Sequence, residues 1–257
     1  MIYQKQFQVL SSEVDMHRRM RLSALFTHLQ ESAIAHTQAL GAGREKTLDR
    51  GLLWIVTQQT VVVNRLPVYD ETLLLESWPG KTMHLYFPRY WRILDDRGGC
   101  LIEASSLWAL MDQNSRHLAF PEEYDIAIED MSGERPSALP KRIKAQPAPA
   151  LQEFTVPYSY VDLNGHMNNT RYFDLAADHL PPDLSMNRIR EIRAEYTGEA
   201  ALRETMTLHA LSGADSWYFS GDADGRTVFR ILLSFHPQAQ TQSQNQTQSQ
   251  HLSQPQT

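Results

Sequence analysis

The sequence predicts an α+β fold made of two tandem copies of one unit, each an antiparallel sheet with a central helix. Three observations carry this: an internal repeat, the same element order in each copy, and a composition break between them. Sliding Phe7–Phe26 by 147 positions lays it without gaps on Phe154–Phe173, and seven of the twenty positions match. The matches are Phe7/Phe154, Val9/Val156, Ser12/Ser159, Val14/Val161, Asp15/Asp162, Met20/Met167 and Phe26/Phe173. Chance gives about one, so the similarity reads as a duplication. A second register, offset by 133, matches Glu71-Thr72 with Glu204-Thr205 and Leu75 with Leu208. The second copy is therefore shorter between its helix and its later strands.

Each element follows from local pattern. The opening Met1–Val9 alternates apolar and polar side chains like a strand. Leu22, Leu25, Phe26, Leu29 and Ala33 recur at helical spacing, and Gly41 and Gly43 stop that helix. Strand-like runs follow at Trp54–Asn64, Glu71–Trp78, His84–Leu94 and Leu101–Met111. In the second copy Phe154–Ser159 is the strand and Asn169–Leu180 the helix, ended by Pro181-Pro182. Its later strands are Arg190–Glu199, Glu204–Leu211, Ser216–Gly221 and Thr227–Phe235. One helix followed by consecutive strands gives a sheet with its helix packed on one face. Residues 131–150 hold four of the thirteen prolines and read as an extended linker. The expected division is 1–130 for the first unit, 131–150 for the linker and 151–236 for the second unit. Residues 237–257 form a tail, in whose last twenty residues nine are glutamine and none is Asp, Glu, Lys or Arg. Such a tract buries too little apolar surface to offset its ordering entropy and is expected to be disordered.

Composition removes several function classes. The chain has 257 residues, with 42% hydrophobic and 21% charged, as in an ordinary globular protein. No apolar run approaches the roughly 18 residues of a spanning helix, and the start lacks the charged and apolar regions of a secretory signal. A single cysteine, Cys100, excludes an internal disulfide and a multi-cysteine metal site. A formal charge of −6 argues against nucleic acid as the main partner. A cytoplasmic protein without a membrane partner is expected. Gly80-Lys81-Thr82 lacks the first glycine of a phosphate loop, Gly41-Ala42-Gly43 lacks the third dinucleotide glycine, and there is neither a Gly-x-Ser-x-Gly elbow nor a His-Glu-x-x-His pair. Neither a cofactor nor a metal is expected.

The densest polar cluster is Asp162-Leu-Asn164-Gly-His166-Met-Asn168-Asn169, between the second copy's first strand and its helix. Asn-Gly favours a turn and Asn169 is placed to cap the helix, which is the plainer explanation. Yet in an extended segment Asp162, Asn164 and His166 alternate and project to one side. They also precede a helix N-terminus, whose free N–H groups can stabilise an oxyanion. The first copy keeps Asp15 but carries His17, Arg19 and Arg21 where the second has Asn164, His166 and Asn168. The candidate active site therefore lies in the second copy.

Asp162-x-Asn164-x-His166-x-Asn168-Asn169-x-x-Tyr172 resembles the signature of the acyl-ACP thioesterases. Trp54-Ile-Val-Thr57 is similar to that family's Trp-x-x-Thr strand, and Glu195-Tyr-Thr-Gly-Glu199-Ala200 to a segment that usually reads Glu-Tyr-Arg-Arg-Glu-Cys. The resemblance spans roughly residues 1–235. It implies tandem hotdog units, each a sheet wrapped around a central helix, and hydrolysis of fatty acyl thioesters of acyl carrier protein. It carries over Asp162, Asn164, His166 and Glu199 as catalytic groups, with Glu195 on the same strand face as the competitor of Glu199. Ala200 replaces the family's cysteine and Cys100 lies in the other copy, so a thiolate nucleophile is lacking.

On this reading backbone N–H groups near Asn168 and Asn169, with Asn164, hold the oxyanion. His166 orients water or protonates the leaving thiolate. Either Asp162 or Glu199 is the base, and a covalent anhydride on Asp162 is the other route. The family's acyl pocket commonly lies in the first hotdog, which nominates Trp54 and Trp108; the alternative reading of both is plain core aromatics. An acidic carrier with its phosphopantetheine-linked acyl chain needs a basic surface on this acidic chain. Arg18, Arg19 and Arg21, or Lys141, Arg142 and Lys144, are the candidates. An acyl-CoA thioesterase, a 3-hydroxyacyl dehydratase and a non-catalytic acyl-binding protein are the rival readings. A monomer or a homodimer fits the doubled fold.

Overall fold

The structure, a computed structural model, describes residues 2–237 apart from 131, 133 and 183. The glutamine-rich tail beyond Pro237 lies outside the described residues. The first half runs β1 (Tyr3–Gln8), α1 (Leu22–Ala39), β2 (Leu52–Val63), β3 (Thr72–Pro79), β4 (Phe87–Leu94), β5 (Cys100–Asp112) and a short β6 (Leu118–Ala119). The second runs β7 (Ala150–Thr155), α2 (Arg171–Asp178), β8 (Ile189–Tyr196), β9 (Thr205–Ser212), β10 (Ser216–Ala223) and β11 (Arg226–Phe235). The order of helix and strands is the expected α+β order in both halves.

The strands form one antiparallel sheet in the order β1-β3-β4-β5-β2-β8-β11-β10-β9-β7, with β6 added to β5. The halves join where β2 pairs with β8, and Thr60 stands opposite Arg193 there. Those two residues are 133 positions apart, the second repeat register, so equivalent positions face each other across an approximate twofold axis. The two helices meet at the same axis. Phe26 of α1 and Phe173 of α2, equivalent in the 147 register, stack with ring centroids 3.7 Å apart. Leu25, Phe26 and Leu29 of α1 and Tyr172, Phe173 and Leu175 of α2 are buried in a single apolar core with the sheet. That burial, at roughly 25 cal/mol per Å² of apolar surface, is the dominant stabilising term.

Several boundaries shift for physical reasons. The strand expected at Phe154–Ser159 is instead Ala150–Thr155, because Pro157 has no N–H for the ladder and a 3-10 turn follows at Tyr158–Tyr160. α2 is shorter than Asn169–Leu180, starting at Arg171 after a side-chain-capped turn. The expected strand at His84 begins at Phe87, since His84 has a left-handed backbone (φ 51°) in the preceding turn.

Residues 134–149 carry neither helix nor strand, but they are no free tether. The indole N–H of Trp78 on β3 donates to Glu134 O, and the Ser105 hydroxyl on β5 donates to Ala138 O. Arg193 on β8 donates to the carbonyls of Lys141 and Arg142, and Ala210 N–H on β9 to Pro149 O. The segment thus crosses the sheet from β3 to β9 as a strap. It covers β5, whose thirteen residues include nine that are buried.

Candidate active site

The polar cluster of the second copy folds as a tight loop pinned at both ends. Val161 and Met167 form an isolated bridge, Asp162 N–H donates to His166 O at 3.0 Å, and Gly165 N–H donates to Asp162 O at 3.0 Å. Gly165 has φ 80°, the left-handed conformation glycine adopts most cheaply. Met167 N–H donates to Ala200 O at 2.8 Å, which ties the loop to the segment after β8 that carries Glu199. Asp162, Asn164 and His166 do line one cavity of about 900 Å³. A turn brings them together, not the strand alternation expected from the sequence, because the bonds to Asp162 close the loop upon itself.

Within that cavity His166 Nδ1 lies 3.7 Å from Glu199 Oε1, and both side chains are about one-third exposed or less. Asp162 Oδ1 accepts Asn164 N–H at 2.8 Å, and Asp162 Oδ2 accepts the Asn168 amide at 3.4 Å. Asp162 therefore fixes the loop with both of its oxygens, whereas Glu199 faces the imidazole. The competitor Glu195 is only 3% exposed. Its Oε2 accepts Ile143 N–H at 3.1 Å and Arg230 Nη1 at 3.3 Å, so it anchors the strap against β8.

The expected oxyanion donors separate. Asn168 N–H is taken by Tyr160 O at 2.8 Å, and its side-chain oxygen accepts Thr170 N–H at 3.0 Å and the Thr170 hydroxyl at 2.8 Å. Asn168, not Asn169, thus holds the Thr170 turn that precedes α2, and its backbone N–H is not available to a ligand. The Asn169 N–H has no hydrogen-bond partner among the described residues, and Asn169 lines the cavity. Behind it stand the phenols of Tyr172 and Tyr196, both held above the ordinary tyrosine range by burial.

Sequence reasoning missed Arg116. It lies in the β5–β6 turn of the first half with φ 58°. Its Nη2 is 3.1 Å from His166 Nδ1 and makes an ion pair with Glu199 Oε2. Asp112 builds that turn by accepting the N–H groups of Asn114 and Ser115, and these bonds lower its proton affinity. No motif marks Arg116; the only sequence signal is a cation in a polar turn.

A second, apolar cavity of about 330 Å³ adjoins the first. Ala33, Ile34, Phe87 and Trp108 contribute to its walls, and Leu163 and Asn164 reach it from the polar loop. Trp54 and Asn164 line both cavities. Trp54 is held by its N–H bond to Ala42 O at 3.1 Å and by an edge contact with Phe87. Both nominated tryptophans thus face apolar space next to the polar loop.

The two basic runs part company. Arg142 and Lys144 stand on the strap at the rim of the polar cavity, next to Lys141. Arg19 and Arg21 line a different cavity, which shares no residue with that around His166, and Arg18 is exposed beside it. Arg19 is moreover 9% exposed and paired with Asp15 at 3.2 Å, so it is no solvated docking cation. Cys100, at the far end of the thirteen-residue β5 from Arg116, sits roughly 40 Å away along the strand. Burial raises its thiol above the usual range.

Known proteins share the sequence pattern and the architecture of this chain. Residues 1–128 match the acyl-ACP thioesterase N-terminal domain, and residues 143–255 the C-terminal domain. The palmitoyl-acyl carrier protein thioesterase of Cuphea hookeriana is 28% identical over 84% of this chain and 55% of its own length. The dodecanoyl-[acyl-carrier-protein] hydrolase of Umbellularia californica is 25% identical over 81% of this chain and 60% of its own. The chain thus spans little more than half the length of these curated relatives. An acyl-ACP thioesterase from Bacteroides thetaiotaomicron superposes with a TM-score of 0.82 at 24% identity, over 91% of this chain and 98% of that one. The 12:0-ACP thioesterase of Umbellularia californica does so with a TM-score of 0.75 at 22% identity, over 92% and 98%. The fold is therefore the tandem hotdog that the resemblance implies. With both domain models matched in order along its length, the chain belongs to the acyl-ACP thioesterase family.

Proposed function

We propose that the chain hydrolyses fatty acyl thioesters of acyl carrier protein to free fatty acid and carrier protein. The observation that carries this reading is the junction of the two cavities at Trp54 and Asn164: a polar chamber with His166 and Glu199 opens beside an apolar one sized for an alkyl chain. In this reading the thioester carbonyl lies against the free Asn169 N–H at the start of α2, where the developing oxyanion is stabilised. A water between the substrate and the Glu199–His166 pair attacks the carbonyl carbon and gives its proton to that pair. Collapse of the tetrahedral intermediate breaks the C–S bond, and His166 returns the proton to the thiolate. Asp162, with both oxygens engaged in the loop, favours a positioning role over a nucleophilic one. Arg116 orients Glu199 and His166 from the opposite half.

Arg142 and Lys144 stand where a phosphopantetheine arm enters, and they complement the phosphodiester and the acidic carrier. The proposal includes a cytoplasmic site of action and one chain supplying the paired hotdog unit by itself, as a monomer or within a homodimer. The deciding experiment assays purified protein on acyl carrier protein and coenzyme A thioesters of equal chain length, across a panel of lengths. Faster release from the carrier protein is expected. Preference for coenzyme A shifts the substrate class, and no hydrolysis of either removes the enzymatic reading.

A further inference from the structure

The duplication builds a second chamber from the same parts. In the first half Asp15 N–H donates to Arg19 O and Arg18 N–H to Asp15 O, as Asp162 N–H does to His166 O and Gly165 N–H to Asp162 O. Arg18 is left-handed at φ 63°, matching Gly165. Met20 N–H donates to Pro67 O as Met167 N–H does to Ala200 O. This first loop faces a cavity of about 750 Å³. Its apolar wall includes Leu180, Pro181 and Leu184, the counterparts of Ala33, Ile34 and Thr37, which line the chamber proposed for the acyl chain.

The shape is kept and the chemistry is replaced. Leu66 stands where the second half has Glu199, Arg19 where it has His166, His17 for Asn164 and Arg21 for Asn168. At the two positions equivalent to Glu199 and His166 no carboxylate–imidazole pair remains. Over these five equivalent positions, Asp15 or Asp162 included, the formal charge moves from −2 to +1 with His neutral. α1 begins here with no side-chain cap, and the N–H groups of Leu22, Ser23 and Ala24 have no partner among the described residues. In the second copy Asn168 Oδ1 accepts the N–H of Thr170, the counterpart of Ser23. Arg19 spends its Nε on Asp15, and its two Nη groups have no hydrogen-bond partner among the described residues. Of the acids facing this cavity, Asp174 is paired with Arg171 and Glu13 accepts Leu10 N–H beside His28, while Asp178 has no ion-pair partner among the described residues.

We propose that this cavity is a non-hydrolytic binding site for a long-chain carboxylate. The head group lies at the α1 N-terminus beside Arg19 and Arg21, and the alkyl chain runs along Leu180 and Leu184. The choice of ligand rests on the proposed function, because a free fatty acid is the product class of that reaction. The site is therefore a place for product to bind without occupying the catalytic chamber.

Titration calorimetry of the full chain with laurate is the test. Two equivalents per chain are expected, with one lost in Leu184→Trp, which fills the cavity, and in Arg21→Glu, which reverses the charge at its mouth. Leu184→Trp is expected to keep thioester turnover and its competitive inhibition by laurate. Dodecanol, which has the chain without the charge, is expected to bind this site at least tenfold more weakly. One equivalent in the wild type, two in both variants, or equal binding of dodecanol overturns the inference. Binding is read without turnover, so a protein that hydrolyses no thioester yet binds two laurates sinks the functional reading alone. Normal hydrolysis with one laurate sinks only the second site.

Discussion

The guanidinium of Arg116 pairs with the carboxylate of Glu199 across the two halves of the chain, 83 positions apart in sequence. The same Nη2 lies within 3.2 Å of both ring nitrogens of His166, so one first-half side chain holds two second-half groups in register. Arg116→Ala is expected to lower kcat by about 10²-fold through misplacement of Glu199 and His166. KM for the acyl carrier protein substrate is expected to stay within a few fold. A variant that loses binding and keeps kcat would assign Arg116 to the carrier instead.

His166→Ala removes the imidazole that faces Glu199 and, in the proposed function, the thioester. A loss of roughly 10²–10⁴-fold in turnover is expected with the fold intact, the usual worth of a positioned acid–base group. Cys100→Ser is the matched control. Its thiol is raised by burial and remote from the cavity, so steady-state rates within twofold of wild type are expected. A large loss in the serine variant with His166→Ala unaffected would reverse the assignment.

The parts read from sequence are those in which pattern is local or repeated. The register offsets of 147 and 133 reappear as the Phe26–Phe173 stack and as the paired bonds from Met20 to Pro67 and from Met167 to Ala200. What the sequence hides depends on backbone angles and distant partners. Asn168 and Asn169 are the same residue type, and only the loop conformation decides which N–H is spent on Tyr160. Arg116 meets His166 from 50 positions away through the pairing of whole strands, for which no short motif exists. The path of the strap was equally illegible, because it is fixed by side chains of the sheet it crosses.

Acid sensitivity is expected from a histidine outside the active site. His28 on α1 stacks on Phe7 at 4.0 Å and lies 2.9 Å from Glu13. Burial lowers its pKa more than Glu13 raises it. The unfolded chain, with a value of about 6.5, then binds the proton more readily than the fold does. The stability this neutral histidine contributes is fully present above that value and falls as the pH drops below it. Denaturant midpoints between pH 7.5 and pH 5 are expected to decline in the wild type and to decline less in His28→Gln. An equal slope in both assigns the acid sensitivity to other groups.

Glu195 is where the strap and the sheet depend on one buried carboxylate. It accepts Ile143 N–H and pairs with Arg230, whose Nε already lacks a partner among the described residues. Glu195→Ala would leave the partly buried Arg230 guanidinium and the buried Ile143 N–H without their shared acceptor, a change expected to cost less than the roughly 3–5 kcal/mol of breaking a fully buried pair. Glu195→Gln keeps an acceptor for Ile143 and is expected to cost less. Because Ile143 is followed by Lys144 at the rim of the polar cavity, loosening the strap is also expected to raise KM for the carrier-bound substrate while kcat changes little. Limited proteolysis reports the same event directly, with cleavage between residues 140 and 149 faster in Glu195→Ala than in the wild type. An alanine variant as stable and as protease-resistant as the parent would show that the strap is held by its other contacts, Trp78 and Ser105 among them.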